Sequence, residues 1–357
     1  MNGSYLKSAS AKSAFLKSAF YGVLISQLVL AGCFVAGNFV AADEGSANQT
    51  LSGSTMGTYW QVQWREPGAS QRAIDSLELK IHSELERLNA LMSTWDPESE
   101  LSVFNRSRST VPTVLHADTL HVIDTAIAIS LLTDGRYDIT LQPVIDLWGF
   151  GKSTHSPTPD EAQITAALAV SGHALLEREG NTVRKRIPTL EIDVSSLAKG
   201  FAVDQLGEIV ESHGIDRYLV DIGGELRARG VRQDDKPWKI GLEDPDGQVP
   251  RGVYLLDTHI ATSGSYRNYR VENGKRLSHI IDGETGRPVA HDLLSASVIH
   301  ESTMLADAWA TALLIVGETA ARRLIAQHGF DAQLTVFRDG QFQYFMTDGF
   351  TSRLVPQ

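Results

Sequence analysis

The chain has 357 residues, 42% hydrophobic and 21% charged, with a formal net charge of −11. This is globular composition, long enough for one large domain or two intimate subdomains. The acid excess, with no basic stripe, excludes a duplex-DNA binder, and a single cysteine, Cys33, excludes an intrachain disulfide or a cysteine-based zinc site.

Lys7, Lys12 and Lys17 precede an apolar run, 19–30, that ends in Leu30-Ala31-Gly32-Cys33. A basic region, an apolar stretch and small residues before a cut describe a secretory signal. Leu-Ala-Gly-Cys resembles the bacterial lipobox, whose cysteine is lipidated and becomes the new N-terminus. Two other readings stand beside it. Residues 20–42 have roughly the length of one membrane anchor, and Val40-Ala41-Ala42 could be an ordinary signal-peptidase site. All three place the remaining chain outside the cytoplasm. The expected division is a signal peptide at 1–32, a lipidated N-terminus and polar tether at 33–52, and a folded unit at 53–357.

Residues 59–64 alternate as a strand does. Apolar Ile74, Leu77, Ile81, Leu85, Leu88 and Leu91 predict a helix over 70–92. A loop broken by Pro97 is expected over 93–109, then a helix over 118–133 closed by Asp134-Gly135. Residues 137–151 are apolar but irregular, with W-G-F-G at their end. A helix is expected at 159–171, strands at 174–179 and 182–185, and a strand at 191–194 leading into a helix at 197–213. Short strands follow at 218–222, 225–229, 238–243, 252–257 and 259–263. Helices at 303–316 and 319–328 and strands at 332–337 and 342–346 close the chain. Hairpins mixed with single helices predict an α+β fold rather than a doubly wound sheet.

The most informative stretch is E-I-D-V-S-S-L-A-K-G-F-A-V-D, 191–204. Small residues and Lys-Gly at a helix start suit close approach to a phosphate, because free N–H groups and a lysine charge point the same way. The Walker spacing is absent. Asp307 and Thr311, four apart on an apolar helix, share one face. An ionised carboxylate there needs a cation or several donors, and an oxygen pair suits magnesium. The alternative is a favourable helix-dipole position for Asp307 and a back-bonded Thr311. His279, carried by a short strand into the turn 282–286, has the chemistry of a proton shuttle. Trp95 could stack on a flat ring or anchor a loop.

Nine short motifs then occur in order: T-M-G-T, M-S-T-W, G-R-Y-D, L-W-G-F-G, D-V-S-S-L-A-K-G, V-D-I-G-G-E, T-S-G-S-Y-R, H-I-I-D-x-x-T-G and A-D-A-x-A-T. Together, over residues 55–316, they resemble the FAD:protein FMN transferase (ApbE) family, once described as thiamine-biosynthesis lipoproteins. The resemblance implies a single α+β unit of two intertwined subdomains, related to the T-fold. It implies an enzyme that splits FAD, transfers FMN to a threonine or serine hydroxyl of an acceptor protein, and releases AMP. Magnesium would assist. The acceptors would be periplasmic parts of membrane redox complexes, of the sodium-pumping quinone reductase or Rnf type. The enzyme would be lipid-anchored on the periplasmic side of the inner membrane.

Carried over position by position, Met56, Trp95, Arg136, Tyr137, Asp138, Asp193, Lys199 and Ile281 should touch FAD. Magnesium should be held by the Ser196 carbonyl, Asp307 and Thr311, with the Ala310 carbonyl assisting. His279 is the general-base candidate. Trp95 and Tyr137 would form an aromatic pocket. Where the family often reads Asp-Pro, Asp282-Gly283 should loosen the turn. Two other functions use the same residues: a magnesium-dependent FAD pyrophosphatase giving FMN and AMP, and a flavin-binding lipoprotein without turnover.

Overall fold

Alternating apolar residues on short strands build the centre of the molecule. The computed structural model describes residues 49–65, 70–151, 158–232, 234–266, 268–272 and 275–356; the leader, Cys33 and most of the tether lie outside them. Strands β1 (Gln49–Thr55) and β2 (Thr58–Trp64) form a hairpin. Then come α1 (Gln71–Met92), α2 (Glu100–Arg106), β3 (Thr113–Val114), α3 (Ala117–Leu132), α4 (Gln142–Leu147) and α5 (Glu161–Leu168). Strands β4 (Leu176–Glu179) and β5 (Thr182–Lys185) complete a small sheet of order β3-β5-β4. Helix α6 (Ser195–Ser212) leads into β6 (Tyr218–Ile222), β7 (Glu225–Arg229), the hairpin β8 (Trp238–Leu242) and β9 (Arg251–Leu255), and β10 (Thr258–Gly264). Two further hairpins, β11 (Tyr269–Glu272) with β12 (Lys275–Ser278) and β13 (Ile281–Asp282) with β14 (Arg287–Pro288), precede β15 (Leu293–His300). Helices α7 (Thr303–Val316) and α8 (Glu318–His328), strands β16 (Asp331–Arg338) and β17 (Gln341–Met346), and α9 (Asp348–Ser352) end the chain.

The main sheet has eight strands in the order β1-β2-β6-β7-β10-β15-β16-β17, and neighbours pair antiparallel. With helices on its face, this is the expected α+β class. Strand β6 is buried on both sides. Tyr218, Val220 and Ile222 join Trp60, Val62 and Trp64 of β2 in the main core, which also holds the apolar faces of α1, α6 and α7. Leu219 turns the other way, onto a second core with Leu226, Ala228, Ile260 and the β8–β9 residues Trp238, Ile240, Val253 and Leu255. Each such fully buried side chain stabilises by about 1.5–3 kcal/mol. Helix α1 starts at Ser70, whose hydroxyl accepts the Ala73 N–H, and buries Leu77, Ile81, Leu85, Leu88 and Met92. Helix α7 is buried nearly all round.

Several features differ from the sequence expectation. The folded part begins by Gln49, because residues 49–52, assigned to the tether, pair with β2 as far as Trp64. The loop expected at 93–109 contains α2, capped by Ser99, which accepts the Ser102 N–H. Strand β15, not expected, fills the sheet between β10 and β16. Residues 191–194 are extended but join no sheet. Instead the Asn105 side chain takes both backbone groups of Ile192, donating to its carbonyl at 2.8 Å and accepting its N–H at 2.9 Å. One amide side chain thus does the work of a neighbouring strand.

Candidate active site

The period-two pattern of β7 and β10 decides the chemistry beneath the helices. Leu226, Ala228 and Ile260 belong to the second core. Their alternates Glu225, Arg227, His259 and Ser263 face α6 and α7. Each meets a helix partner. Glu225 Oε1 lies 2.6 Å from Lys199 Nζ. Arg227 reaches Glu211 at 2.7 Å and donates to the Asp204 carbonyl at 2.9 Å. His259 Nδ1 faces Asp204 Oδ1 at 3.1 Å and Thr303 Oγ1 at 2.8 Å. Ser263 Oγ is 2.8 Å from Thr311 Oγ1.

Asp307 lies buried where α6 crosses α7. Its Oδ2 accepts the Gly200 N–H at 3.1 Å and stands 4.0 Å from Lys199 Nζ. In the continuous helix α6 the same N–H faces the Ser196 carbonyl four residues earlier, so the carboxylate and that carbonyl stand close to one donor. The close crossing needs glycine: a Cβ on Gly200 would sit 2.4 Å from the Thr303 carbonyl oxygen. Burial raises the Asp307 pKa, Lys199 opposes this, and Glu225 adds to it.

Two residues that the sequence did not single out fix this arrangement. Asp204 accepts from Ser302 Oγ at 2.9 Å and from the N–H groups of Thr303 and Met304 at 2.9 and 3.1 Å, so it holds the N-terminus of α7. Burial works to raise its pKa, and the bonds from His259, Met304 and Thr303 outweigh this and hold it below the usual range. Glu225 is placed by the turn at Gly223-Gly224, whose φ values of 65° and 105° favour glycine. Asp221 braces that turn, accepting from the Gly224 N–H at 2.9 Å and the Tyr59 hydroxyl at 3.0 Å. The sequence signal for Glu225 was its place inside V-D-I-G-G-E, and for Asp204 its place at the end of the 191–204 stretch.

A small cleft opens just before the start of α6, lined by Thr94, Trp95, Gln142, Phe150, Glu191 and Asp193 among others. Trp95 is 77% exposed on it, so it is not a buried loop anchor. Asp193 Oδ1 accepts the Ser195 N–H at 2.7 Å. Val194, the N-cap of α6, brings no side-chain acceptor, so the Asp193 carboxylate takes that part at the first N–H of the helix. Phe150 packs edge-on to His279 with ring centroids 6.5 Å apart, which sets the histidine beside the cleft. His279 Nδ1 lies 2.8 Å from the Asn268 carbonyl. Only a protonated Nδ1 can make that bond, so Nε2 is the nitrogen left to accept a proton. Burial lowers the His279 pKa, with the Asn268 carbonyl opposing it.

The other expected contacts are placed differently. Tyr137 is buried, with its hydroxyl 2.7 Å from Ser196 Oγ; the second aromatic ring of the cleft is Phe150. Burial, then the charges of Asp307, Asp193 and Asp138, raise the Tyr137 pKa, while the Ser196 bond opposes them. Asp138 takes the Thr140 N–H and hydroxyl at 2.8 and 2.6 Å and the His173 N–H at 2.6 Å, and its Oδ2 lies 3.1 Å from His173 Nδ1. Arg136 grips Asp282 at 2.6 Å and donates to the carbonyls of Ile315 and Val316 at the end of α7. The Ile281 side chain is buried with Leu141, Val144, Trp148 and Ile164. Neither Arg136 nor Ile281 is among the residues that line the cleft. Met56 forms the β1–β2 turn with Gly57 at φ 48°, a strained conformation for a side-chain-bearing residue. The turn at Asp282-Gly283 is not loosened: the Gly283 N–H donates to the Arg136 carbonyl at 2.8 Å.

Among the described residues, no three His, Cys, Asp or Glu side chains cluster to hold a metal ion. A cation here would therefore rely on Asp307 with neutral oxygens. Thr311 and the Ser196 and Ala310 carbonyls supply such oxygens. That donor set fits magnesium, which takes one or two carboxylates and completes its shell with water and substrate phosphates.

The ApbE family model matches residues 56–334. The chain belongs to the ApbE family. Curated relatives named FAD:protein FMN transferase include one from Vibrio cholerae, 38% identical over 84% of this chain and 91% of its own length. Another, from Salmonella typhimurium, is 37% identical over 87% of this chain and 90% of its own. Among solved structures, the flavin transferase ApbE of Vibrio cholerae aligns with a TM-score of 0.78 at 36% identity, covering 86% of this chain and all of that one. The apo flavinyl transferase ApbE of Pseudomonas stutzeri gives 0.79 at 30% identity, covering 86% of this chain and 96% of its own. The ApbE fold thus spans the described unit.

Proposed function

We propose that this member of the ApbE family is an enzyme that transfers the FMN part of FAD to a serine or threonine hydroxyl of an acceptor protein and releases AMP. One observation carries the reading: the short stretch from Asp193 to Lys199 links a cleft that bears an exposed tryptophan to the buried Asp307. That is a place for a diphosphate beside a place for a flat ring. Names and structures of relatives agree with it.

Transfer between phosphates needs alignment and charge neutralisation more than an unusual nucleophile. Trp95 and Phe150 offer surfaces to FAD. Asp193, Lys199, Met56, Arg136 and Ile281 add further contacts to it. Asp307, Thr311 and the carbonyls of Ser196 and Ala310 would hold magnesium, which supplies charge stabilisation at phosphate oxygens when bound. His279 Nε2 takes the proton of the acceptor hydroxyl. The hydroxyl oxygen forms a bond to the FMN phosphorus, the bond from that phosphorus to the bridging oxygen breaks, and AMP leaves.

The lipobox-like Leu30-Ala31-Gly32-Cys33 supports export and a lipid anchor on the periplasmic side of the inner membrane. Acceptors of the sodium-pumping quinone reductase or Rnf type fit that location. The test combines mature protein, FAD, magnesium and an acceptor domain bearing such a hydroxyl, and records acceptor mass and AMP. Acceptor heavier by one FMN is expected. AMP with unmodified acceptor would replace transfer by hydrolysis, and neither product would leave binding alone. A mature chain starting at Asp43 rather than at a lipidated Cys33 would sink the anchor.

A further inference from the structure

Glu225 stands in the V-D-I-G-G-E motif, and the mechanism above gives it no part. Its side chain is 4% exposed. One oxygen is 2.6 Å from Lys199 Nζ, and the other, Oε2, has no hydrogen-bond partner among the described residues. A buried acceptor left bare is destabilising, so one that persists marks a place for a ligand's donor. Lys199 also stands 4.0 Å from Asp307 Oδ2. Two buried carboxylates thus share one ammonium, and the three groups carry a formal charge of about −1. Such a trio repels phosphate and attracts a cation.

We propose that Glu225 makes binding of the FAD diphosphate conditional on a divalent cation. It engages the Lys199 charge, so that the lysine alone does not attract phosphate, and it offers Oε2 to a water of the cation's shell. Magnesium keeps several waters when it binds through one or two carboxylates, and those waters are donors. With the cation present, the charge of the site changes sign and the diphosphate becomes a partner. The cation therefore binds first. This inference rests on the flavin-transfer reading.

Glu225→Gln tests it in the mature protein, without turnover. Magnesium affinity is measured by calorimetry in the absence of FAD. FAD affinity is measured by flavin fluorescence, once with magnesium and once with EDTA. The wild type should bind FAD with magnesium and poorly in EDTA. The variant should lose roughly 10–100-fold in magnesium affinity, the usual effect of removing an outer-shell partner. In EDTA it should bind FAD roughly 3–30-fold more tightly than the wild type, because a negative charge beside the phosphates is gone. A merely structural role would weaken both. Unchanged magnesium affinity, or FAD binding in EDTA no tighter than wild type, overturns the proposal. If Glu225→Gln does not fold, Glu225→Asp keeps the charge and should keep the cation requirement; equal FAD affinity with and without magnesium would then refute it. Wild type that binds FAD equally in both conditions overturns this inference and leaves the flavin reading standing. Wild type that never binds FAD removes both.

Discussion

Gly200→Ala separates the geometry of the site from the stability of the fold. A methyl group at this position would lie 2.4 Å from the Thr303 carbonyl oxygen and 2.7 Å from Met304 Cα, both backbone atoms that cannot swing aside. Ordinary contacts of this kind lie near 3.5 Å, so α6 and α7 must part by roughly 1 Å. Overpacking of this sort costs about 1–3 kcal/mol. Alanine in place of a helical glycine returns about 1 kcal/mol. The expected net loss is therefore small, about 0–2 kcal/mol. The functional loss should be larger, because Gly200 donates its N–H to Asp307 and precedes Thr303 and Met304 across the crossing. A displacement of about 1 Å at a catalytic group can cost on the order of 100-fold in rate. The assay pairs urea unfolding with FMN transfer to the acceptor domain. A variant that transfers at the wild-type rate would refute the claim that this crossing sets the Asp307 position.

Three further outcomes follow from named contacts. Ser196→Ala should cost about 1–3 kcal/mol in urea unfolding, because it leaves the buried Tyr137 hydroxyl without its partner at 2.7 Å, and adding Tyr137→Phe should recover most of it; no recovery in the double variant would show the bond to be unimportant. Asn105→Ala should weaken FAD binding and destabilise by about 1–3 kcal/mol, since both backbone groups of Ile192 beside Asp193 lose their partner, and unchanged flavin titration would count against that link. Lys185 is buried, donating to the carbonyls of Asn105 and Ser107, and burial pushes its pKa from 10.5 down to about 8. Between those values the unfolded chain binds the extra proton, so stability should rise with pH through that window, by up to about 3 kcal/mol. Lys185→Met should remove that slope from a plot of unfolding free energy against pH, and an identical slope in the variant would assign it to other groups.

Local pattern made much of the fold legible, and remote partners hid the rest. Helix α7 was readable to its ends, because Ser302 caps it and its apolar run is unbroken. Helix α1 was readable from one apolar face. Strand β1 was not, since Gln49, Thr50 and Ser52 look like tether residues and the strand exists only through pairing with β2. Its signal was the Met56-Gly57 turn, legible as a motif but not as a hairpin. Residues 191–194 alternate as a strand does, yet Ile192 bonds to the side chain of Asn105, 87 positions earlier, and the Asp193 N–H to the Ile139 carbonyl. No local pattern can show that. Strand β15 was not legible, because it is buried along nearly its whole length and its sequence, L-L-S-A-S-V-I-H, carries no alternating pattern. In the site, Asp307, Thr311, Lys199 and Asp193 were readable as types at suggestive spacing. Asp204 and Glu225 were not, because their roles come from a helix about 100 residues later and from the opposite layer.

This division has a physical cause. The candidate site around Asp307 sits at the joint between a sheet and two helices rather than on a loop. Alternate positions of β7 and β10 point either into the second core or up at α6 and α7, so every polar residue on the upper side must find a helix partner or bear the cost of burial. Glu225, Arg227, His259 and Ser263 each find one. Asp204 adds a second constraint, tying the middle of α6 to the first turn of α7 through three donors of that turn. With Gly200 fixing the distance and Asp204 the direction, Asp307 has little freedom left. A carboxylate held so rigidly, beside a lysine already engaged by a second acid, is poorly suited to solvent and well suited to a cation and its phosphates. The packing that stabilises the fold is thus the same packing that aims the site.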